Sequence, residues 1–123
     1  MKVLIADDEL DIRETLAEAF QAKGFEVVVA ADGKIALEKA GQERPDLAVL
    51  DVMMPKLSGW EVCKELKKNE PTKNIPVIIL TAAKTKEIDE LMSAESGADL
   101  HLKKPYNPLD IVTSAENLLK EKT

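Results

Sequence analysis

The chain has 123 residues, of which 45% are hydrophobic and 33% charged, with a net charge of -6 and a pI near 4.9. This composition predicts one folded domain over residues 1–123 and excludes a disordered chain. Its negative charge opposes direct nucleic-acid binding. No apolar stretch reaches the roughly 18–20 residues of a membrane span, and acids interrupt the start where a signal peptide would be apolar, so we expect a cytoplasmic protein.

Five short apolar runs recur along the chain and are typical of β-strands. Most are nearly continuous in Val, Ile, Leu and Ala, which is the pattern of parallel strands covered by helices on both faces. In chain order the predicted strands are Lys2–Ala6, Phe25–Ala30, Leu47–Leu50, Val77–Leu80 and the weaker Leu100–Lys103.

Segments with helical spacing of apolar residues lie between and after these strands. Their spacing of three or four residues predicts amphipathic helices. Asn107 is predicted to cap the last helix, and Pro108 suits its first position. The apolar stripes are Ile12–Phe20, Ile35–Ala40, Trp60–Leu66, Ile88–Met92 and Ile111–Leu119. Five strand-helix repeats predict a doubly wound α/β fold with a parallel five-stranded sheet.

Polar residues cluster where the predicted strands end, and parallel strands bring such ends together at one edge of a sheet. Each has an ordinary explanation when taken alone, such as an acid at a helix start or a lysine in a solvated loop. Their joint position predicts a functional site. From the first, third, fourth and fifth strands, the residues are Asp7 and Asp8, Asp51, Thr81, and Lys103 with Lys104.

The three carboxylates at this edge predict a bound cation. Two such charges repel by roughly 4 kcal/mol at about 4 Å with an effective dielectric of about 20. A hard divalent ion with oxygen ligands offsets this repulsion and keeps positions open for a further oxygen. Mg²⁺ is therefore the predicted metal.

Four segments resemble the response-regulator receiver family of two-component signalling: IADDE, LDVMMPKLSGWE, ILTA and GADLHLKKPYN. The likeness covers the whole chain, with the motifs in order. It implies a flavodoxin-like (βα)5 fold with strand order 2-1-3-4-5. It also implies a signalling domain that takes a phosphoryl group from a sensor histidine kinase and turns over no external substrate.

The resemblance also implies a role for each residue at the strand ends. Asp51 would be the phosphoacceptor, and Lys104 and Thr81 would bind phosphoryl oxygens. The implied Mg²⁺ ligands are Asp8, Asp51, the backbone carbonyl of Met53 and, mainly through a water, Asp7.

His101 departs from the family pattern, because relatives usually carry Tyr or Phe three residues before the lysine. We predict a switch role for His101 together with Thr81. In relatives the switch acts on a face made by the fourth helix, fifth strand and fifth helix, which implies a downstream protein or output domain, or a phosphorylation-dependent dimer. Ser58 stands where relatives often carry aspartate.

Two other protein classes share parts of this pattern. Haloacid-dehalogenase phosphatases form an aspartyl phosphate but use a second acid two residues after the nucleophile, where this chain has Met53. Flavodoxin-like cofactor binders need a phosphate-binding loop after the first strand, where this chain has ADDELD. The sequence leaves open whether the chain is a complete regulator or the receiver of a longer transcription factor.

Overall fold

The computed structural model, which describes residues 1–82, 92 and 94–122, is a parallel sheet between two layers of helices. Its strands are β1 (Lys2–Ala6), β2 (Glu26–Ala30), β3 (Leu47–Asp51), β4 (Val77–Thr81) and β5 (Leu100–Lys103). The helices with defined bounds are α1 (Leu10–Ala22), α2 (Gly33–Glu43), α3 (Gly59–Lys68) and a C-terminal helix (Pro108–Lys122). The sheet order is β2-β1-β3-β4-β5, which confirms the predicted fold and strand order.

Two strands run one residue further than predicted, at the edge that carries the polar residues. Asp51 pairs with Leu80 as the last residue of β3, and the Val52 N–H extends the ladder by donating to the Leu80 carbonyl at 3.0 Å. Thr81 likewise ends β4, and its carbonyl accepts from the Lys104 N–H at 2.8 Å. Asp51 and Thr81 are therefore held by the sheet itself and not by the loops after it.

Both faces of the sheet are buried, which explains why the strands lack polar alternation. In β1, Leu4 and Ala6 pack with residues of α2 and α3, whereas Val3 and Ile5 pack with α1 and the C-terminal helix. Within the residues described, no helix combines the length and apolar character needed to cross a membrane.

Polar caps define where the helices after the site begin. Ser58 caps α3: its hydroxyl accepts from the Glu61 N–H at 3.2 Å, and the Glu61 carboxylate accepts from the Ser58 N–H at 3.1 Å. The predicted cap of the last helix is confirmed, because the Asn107 side chain accepts from the Leu109 N–H at 2.9 Å. The fourth predicted stripe is Ile88–Met92. Met92 is helical, and its other residues lie outside the described part of the chain. Residues 94–96, which follow the stripe, are also helical.

Gly59 allows α3 to begin directly against the end of β3. The Gly59 N–H donates to the Val52 carbonyl at 3.1 Å, and a Cβ at Gly59 would overlap the backbone carbonyl of Asp51. Backbone atoms cannot move aside as a flexible side chain can. The position of the Asp51 backbone therefore requires a glycine, which has no Cβ, at residue 59.

We expect Gly59→Ala to lower the free energy of unfolding by about 1–3 kcal/mol, because the added methyl overpacks the backbone of β3. Urea titration measures this change. Gly41→Ala is the matched control, since Gly41 also lies in a helix but faces open space. The control should gain about 0.5–1 kcal/mol from helix propensity. A Gly59→Ala variant as stable as the wild type would contradict the packing argument.

Candidate functional site

Three carboxylates meet at the carboxyl ends of β1 and β3. Asp7 and Asp8 follow β1 and Asp51 ends β3, and one oxygen from each lies within 4.8 Å of the other two. Asp7 and Asp51 are 1% and 2% exposed, whereas Asp8 is exposed. An open groove of about 360 Å³ adjoins the cluster and is lined in part by Asp8 and Met53. The structure therefore brings the three predicted acids together, with one of them facing solvent.

Lys104 provides the positive charge of this cluster. Its Nζ lies 2.7 Å from Asp51 Oδ1, and its side chain is partly buried. The Lys104–Pro105 peptide bond is cis. Lys103, the neighbouring candidate, is exposed and pairs in the sheet with Thr81. The contact with Asp51 thus distinguishes the two adjacent lysines.

Burial raises the pKa of both enclosed carboxyl groups, because it disfavours their charged forms. The pKa of Asp7 is raised to about 6; the Glu9 N–H, which donates to Asp7 Oδ1 at 2.9 Å, opposes this rise and the charge of Asp51 adds to it. The pKa of Asp51 is also raised, since burial outweighs the ion pair with Lys104. For Lys104, burial lowers the pKa, but the bond to Asp51 prevails and the pKa is raised.

One oxygen of Asp7 lacks a partner. Asp7 Oδ2 is buried and accepts no hydrogen bond from any residue in the described part of the chain. A buried acceptor without a donor is unfavourable, more so when it carries charge. Carboxylate oxygens around an unsatisfied, negatively charged position are the donor set that hard divalent cations prefer. These residues therefore fit Mg²⁺.

Thr81 and His101 lie on the same face of the sheet. Thr81 is buried at the end of β4, and His101 is half-buried on β5 opposite Ile79. Because side chains alternate along strands and Ile79 packs in the cluster that contains α3, Thr81, Ile79 and His101 point toward the α3 side. Thr81 is paired with Lys103, and His101 lies two residues before Lys103 on the same strand. His101 is therefore a diagonal neighbour of Thr81 and does not lie at the carboxyl end of β5.

Two residues that were not predicted support the site: Glu9, the N-cap of α1, and Arg13 in α1. The Glu9 N–H bonds the Asp7 side chain, and Arg13 Nη1 donates to the Asp7 backbone carbonyl at 2.9 Å. The first contact has a local signal, because aspartate side chains commonly accept a hydrogen bond from the backbone N–H two residues further on. The second has no such signal, because Arg13 meets Asp7 only once α1 has formed its first turn.

Fold and site together define a doubly wound α/β domain with an acidic, lysine-containing site at the carboxyl edge of its sheet. The chain belongs to the response regulator receiver domain family, whose profile matches residues 3–116. It is therefore a receiver domain of two-component signalling, and the role of a phosphoryl acceptor fits its site. The phosphatase alternative gains no support.

Several relatives show how far the likeness extends. The alkaline phosphatase synthesis transcriptional regulatory protein PhoP of Bacillus subtilis is 41% identical over 119 residues, which cover 97% of this chain and 48% of PhoP. The receiver domain of the Francisella response regulator 1452 superposes with a TM-score of 0.90 at 35% identity, covering 99% and 98% of the two chains. The BeF3-activated DrrB receiver domain gives 0.84 at 32% identity, covering 97% of each. The chain spans about half the length of the curated relatives it matches.

We expect Asp7→Asn to stabilise the metal-free protein near neutral pH. The folded-state pKa of Asp7, about 6, exceeds its ordinary value of 3.8, so the folded state holds the proton more tightly. Stability should therefore fall as pH rises from about 4 to about 6 and stay lower above that range. Asparagine removes this penalty, which amounts to at most about 3 kcal/mol. Urea unfolding in EDTA, at about pH 4 and pH 7.5, measures the difference.

Glu14→Gln on the exposed side of α1 is the control for removing one negative charge. Its free energy of unfolding should stay within about 0.5 kcal/mol of the wild type. If Asp7→Asn were no more stable than the wild type at about pH 7.5, the buried Asp7 carboxylate would not be a source of instability.

Proposed function

We propose that Asp51 is the phosphoacceptor and that this receiver domain, residues 1–123, relays the signal of a sensor histidine kinase by transient phosphorylation. The observation that supports this assignment is the 2.7 Å contact between Asp51 Oδ1 and Lys104 Nζ inside the carboxylate cluster. Of the three carboxylates, Asp51 is the one that contacts a lysine among the described residues. It also ends a fully buried strand, so its backbone is rigidly placed.

In the proposed reaction a carboxylate oxygen of Asp51 attacks the phosphorus of a phosphohistidine. The new P–O bond forms as the P–N bond breaks, and the histidine nitrogen leaves with the electron pair. Catalysis of phosphoryl transfer is mostly positioning and charge stabilisation. Lys104 would move from the Asp51 carboxylate to a phosphoryl oxygen, and the Thr81 hydroxyl would donate to another. The chain would act as a signalling domain with no external substrate.

Mg²⁺ is the proposed cofactor. The proposed ligands are Asp8, Asp51, the Met53 carbonyl and, through a water, Asp7. When bound, the ion would offset the charge of the carboxylates and of the phosphoryl oxygens. The unpartnered Asp7 Oδ2 and the three converging oxygens support this proposal.

The proposed switch consists of Thr81 and His101. Their shared face of the sheet supports a response in which Thr81 follows the phosphoryl group and His101 adjusts beside it. The affected surface would comprise the helical residues 92 and 94–96, β5 and the C-terminal helix. We propose that it serves a downstream protein, an output domain or a phosphorylation-dependent dimer.

The proposed setting is a cytoplasmic two-component pathway, where histidine kinases draw on ATP. PhoP, the relative from Bacillus subtilis, is a transcriptional regulatory protein about twice as long as the match. Transcriptional control is therefore the proposed kind of output. The charge of -6 opposes direct DNA contact by these 123 residues.

Incubation with acetyl phosphate and Mg²⁺ should add one phosphoryl group to the wild type and none to Asp51→Asn, as read by intact mass. The label should be released by hydroxylamine, because an acyl phosphate is the expected linkage. Asp46→Asn is the matched control: Asp46 is an exposed acid at the other end of β3. It should be labelled like the wild type.

Full labelling of Asp51→Asn would overturn the phosphoacceptor assignment. The metal is tested in the same assay with Asp8→Ala. Removing a ligand should raise the Mg²⁺ concentration for half-maximal labelling by about tenfold or more. An unchanged Mg²⁺ requirement would show that Asp8 is not a ligand.

Beryllofluoride should slow amide exchange in β5 and the first turns of the C-terminal helix, as well as in the loop after Asp51. A phosphoryl analogue shifts a two-state equilibrium only through contacts that differ between the states, here those of Thr81 and Lys104. In His101→Ala the response of β5 should shrink while that of the Asp51 loop persists. His101→Tyr, which supplies an aromatic ring, is the control and should retain both. Protection confined to the Asp51 loop in the wild type would contradict a switch role for His101.

A further inference from the structure

The hydroxyl of Tyr106 is a buried donor that has no acceptor within the described part of the chain. The ring packs against the cluster formed by α1 and the C-terminal helix. With Lys104 and Pro105 it also lines a groove of about 420 Å³. Buried tyrosine hydroxyls normally find a partner, so an unpaired one calls for an explanation.

The surroundings of this hydroxyl are acidic. Burial, together with the charges of Asp7, Asp51 and Glu9 in that order, raises the pKa of Tyr106 to about 12. The hydroxyl therefore keeps its proton at neutral pH and remains a donor. Asp7, whose charge contributes most, carries an oxygen, Oδ2, that is also buried and has no hydrogen-bond partner among the described residues.

We propose that Tyr106 is a positioning residue of the site, whose hydroxyl donates a hydrogen bond to Asp7 Oδ2 and so orients that carboxylate toward the metal. The inference rests on the proposed function, which makes Asp7 a ligand through water. The two atoms are not bonded to each other in this structure. In the proposal, a side-chain rotation or an intervening water would join this donor to this acceptor.

This arrangement would hold Asp7 at both oxygens. Because each carboxylate oxygen can accept two hydrogen bonds, Oδ2 could still accept one from a metal-bound water. The Glu9 N–H already binds Oδ1 at 2.9 Å, which leaves the carboxylate plane to be set by a donor to Oδ2. Groups behind a metal ligand commonly orient it in this way. The segment Lys104–Tyr106 would then serve both buried carboxylates: the lysine binds Asp51, and the tyrosine binds Asp7.

Tyr106→Phe tests the proposal, because it removes one oxygen and keeps the ring that packs in the core. Calorimetric titration at about pH 8 should show the Mg²⁺ dissociation constant rising about threefold to tenfold. In EDTA at the same pH, the unfolding equilibrium constant in urea should rise by a similar factor. The same substitution in an Asp7→Ala background, which has no acceptor, should leave the unfolding constant unchanged or lower it.

An equal change in the unfolding constant in both backgrounds, in either direction, would overturn the proposal, since the hydroxyl would then act independently of Asp7. An unchanged Mg²⁺ affinity would overturn it as well. Acetyl phosphate labelling of the wild type separates this result from the proposed function. If the wild type takes up no phosphate at Asp51, the proposed function fails, while the unfolding comparison still decides whether Tyr106 and Asp7 are bonded.

Discussion

The contact between Asp51 and Lys104 is the interaction on which the rest of the site depends. A buried carboxylate is tolerated only when it is paired, and the ion pair of 2.7 Å supplies that partner. One lysine does not balance three acids, however, and burial, to which the neighbouring negative charges add, raises the pKa values of Asp7 and Asp51. The site therefore favours additional positive charge, and with the proposed metal ion Lys104 would bind an anionic phosphoryl group.

The sheet connects the residues of this site through backbone hydrogen bonds. Asp51 ends β3, Thr81 ends the adjacent β4, and the Lys104 N–H is bonded to the Thr81 carbonyl. If Lys104 exchanges Asp51 for a phosphoryl oxygen, as proposed, its backbone hydrogen bond connects that change to the strand end that holds Thr81. Because a packed core deforms little, such a shift would reach β5 as a displacement of whole side chains.

Close packing fixes the backbone around Asp51. Gly59 starts α3 against the Asp51 carbonyl, and the Ser58 cap holds the first turn in place. The loop between β3 and α3 leaves Met53 71% exposed beside the groove. A rigidly held Asp51 next to an open groove suits its proposed role, in which a second protein must reach the carboxylate.

The fold class and the position of the acids could be predicted from the sequence, because both are local signals. Continuous apolar runs mark buried parallel strands, and a polar residue at the end of such a run lies at the sheet edge whatever its neighbours are. The motif likeness supplied the strand order and the roles expected of Asp51 and Lys104. Three features are visible only in the folded chain: Lys104 pairs with Asp51, Gly59 must lack a side chain, and the Tyr106 hydroxyl and Asp7 Oδ2 are both buried without a hydrogen-bond partner among the described residues. Each of these depends on atoms that folding brings into one place, and such contacts leave no periodic trace in the sequence.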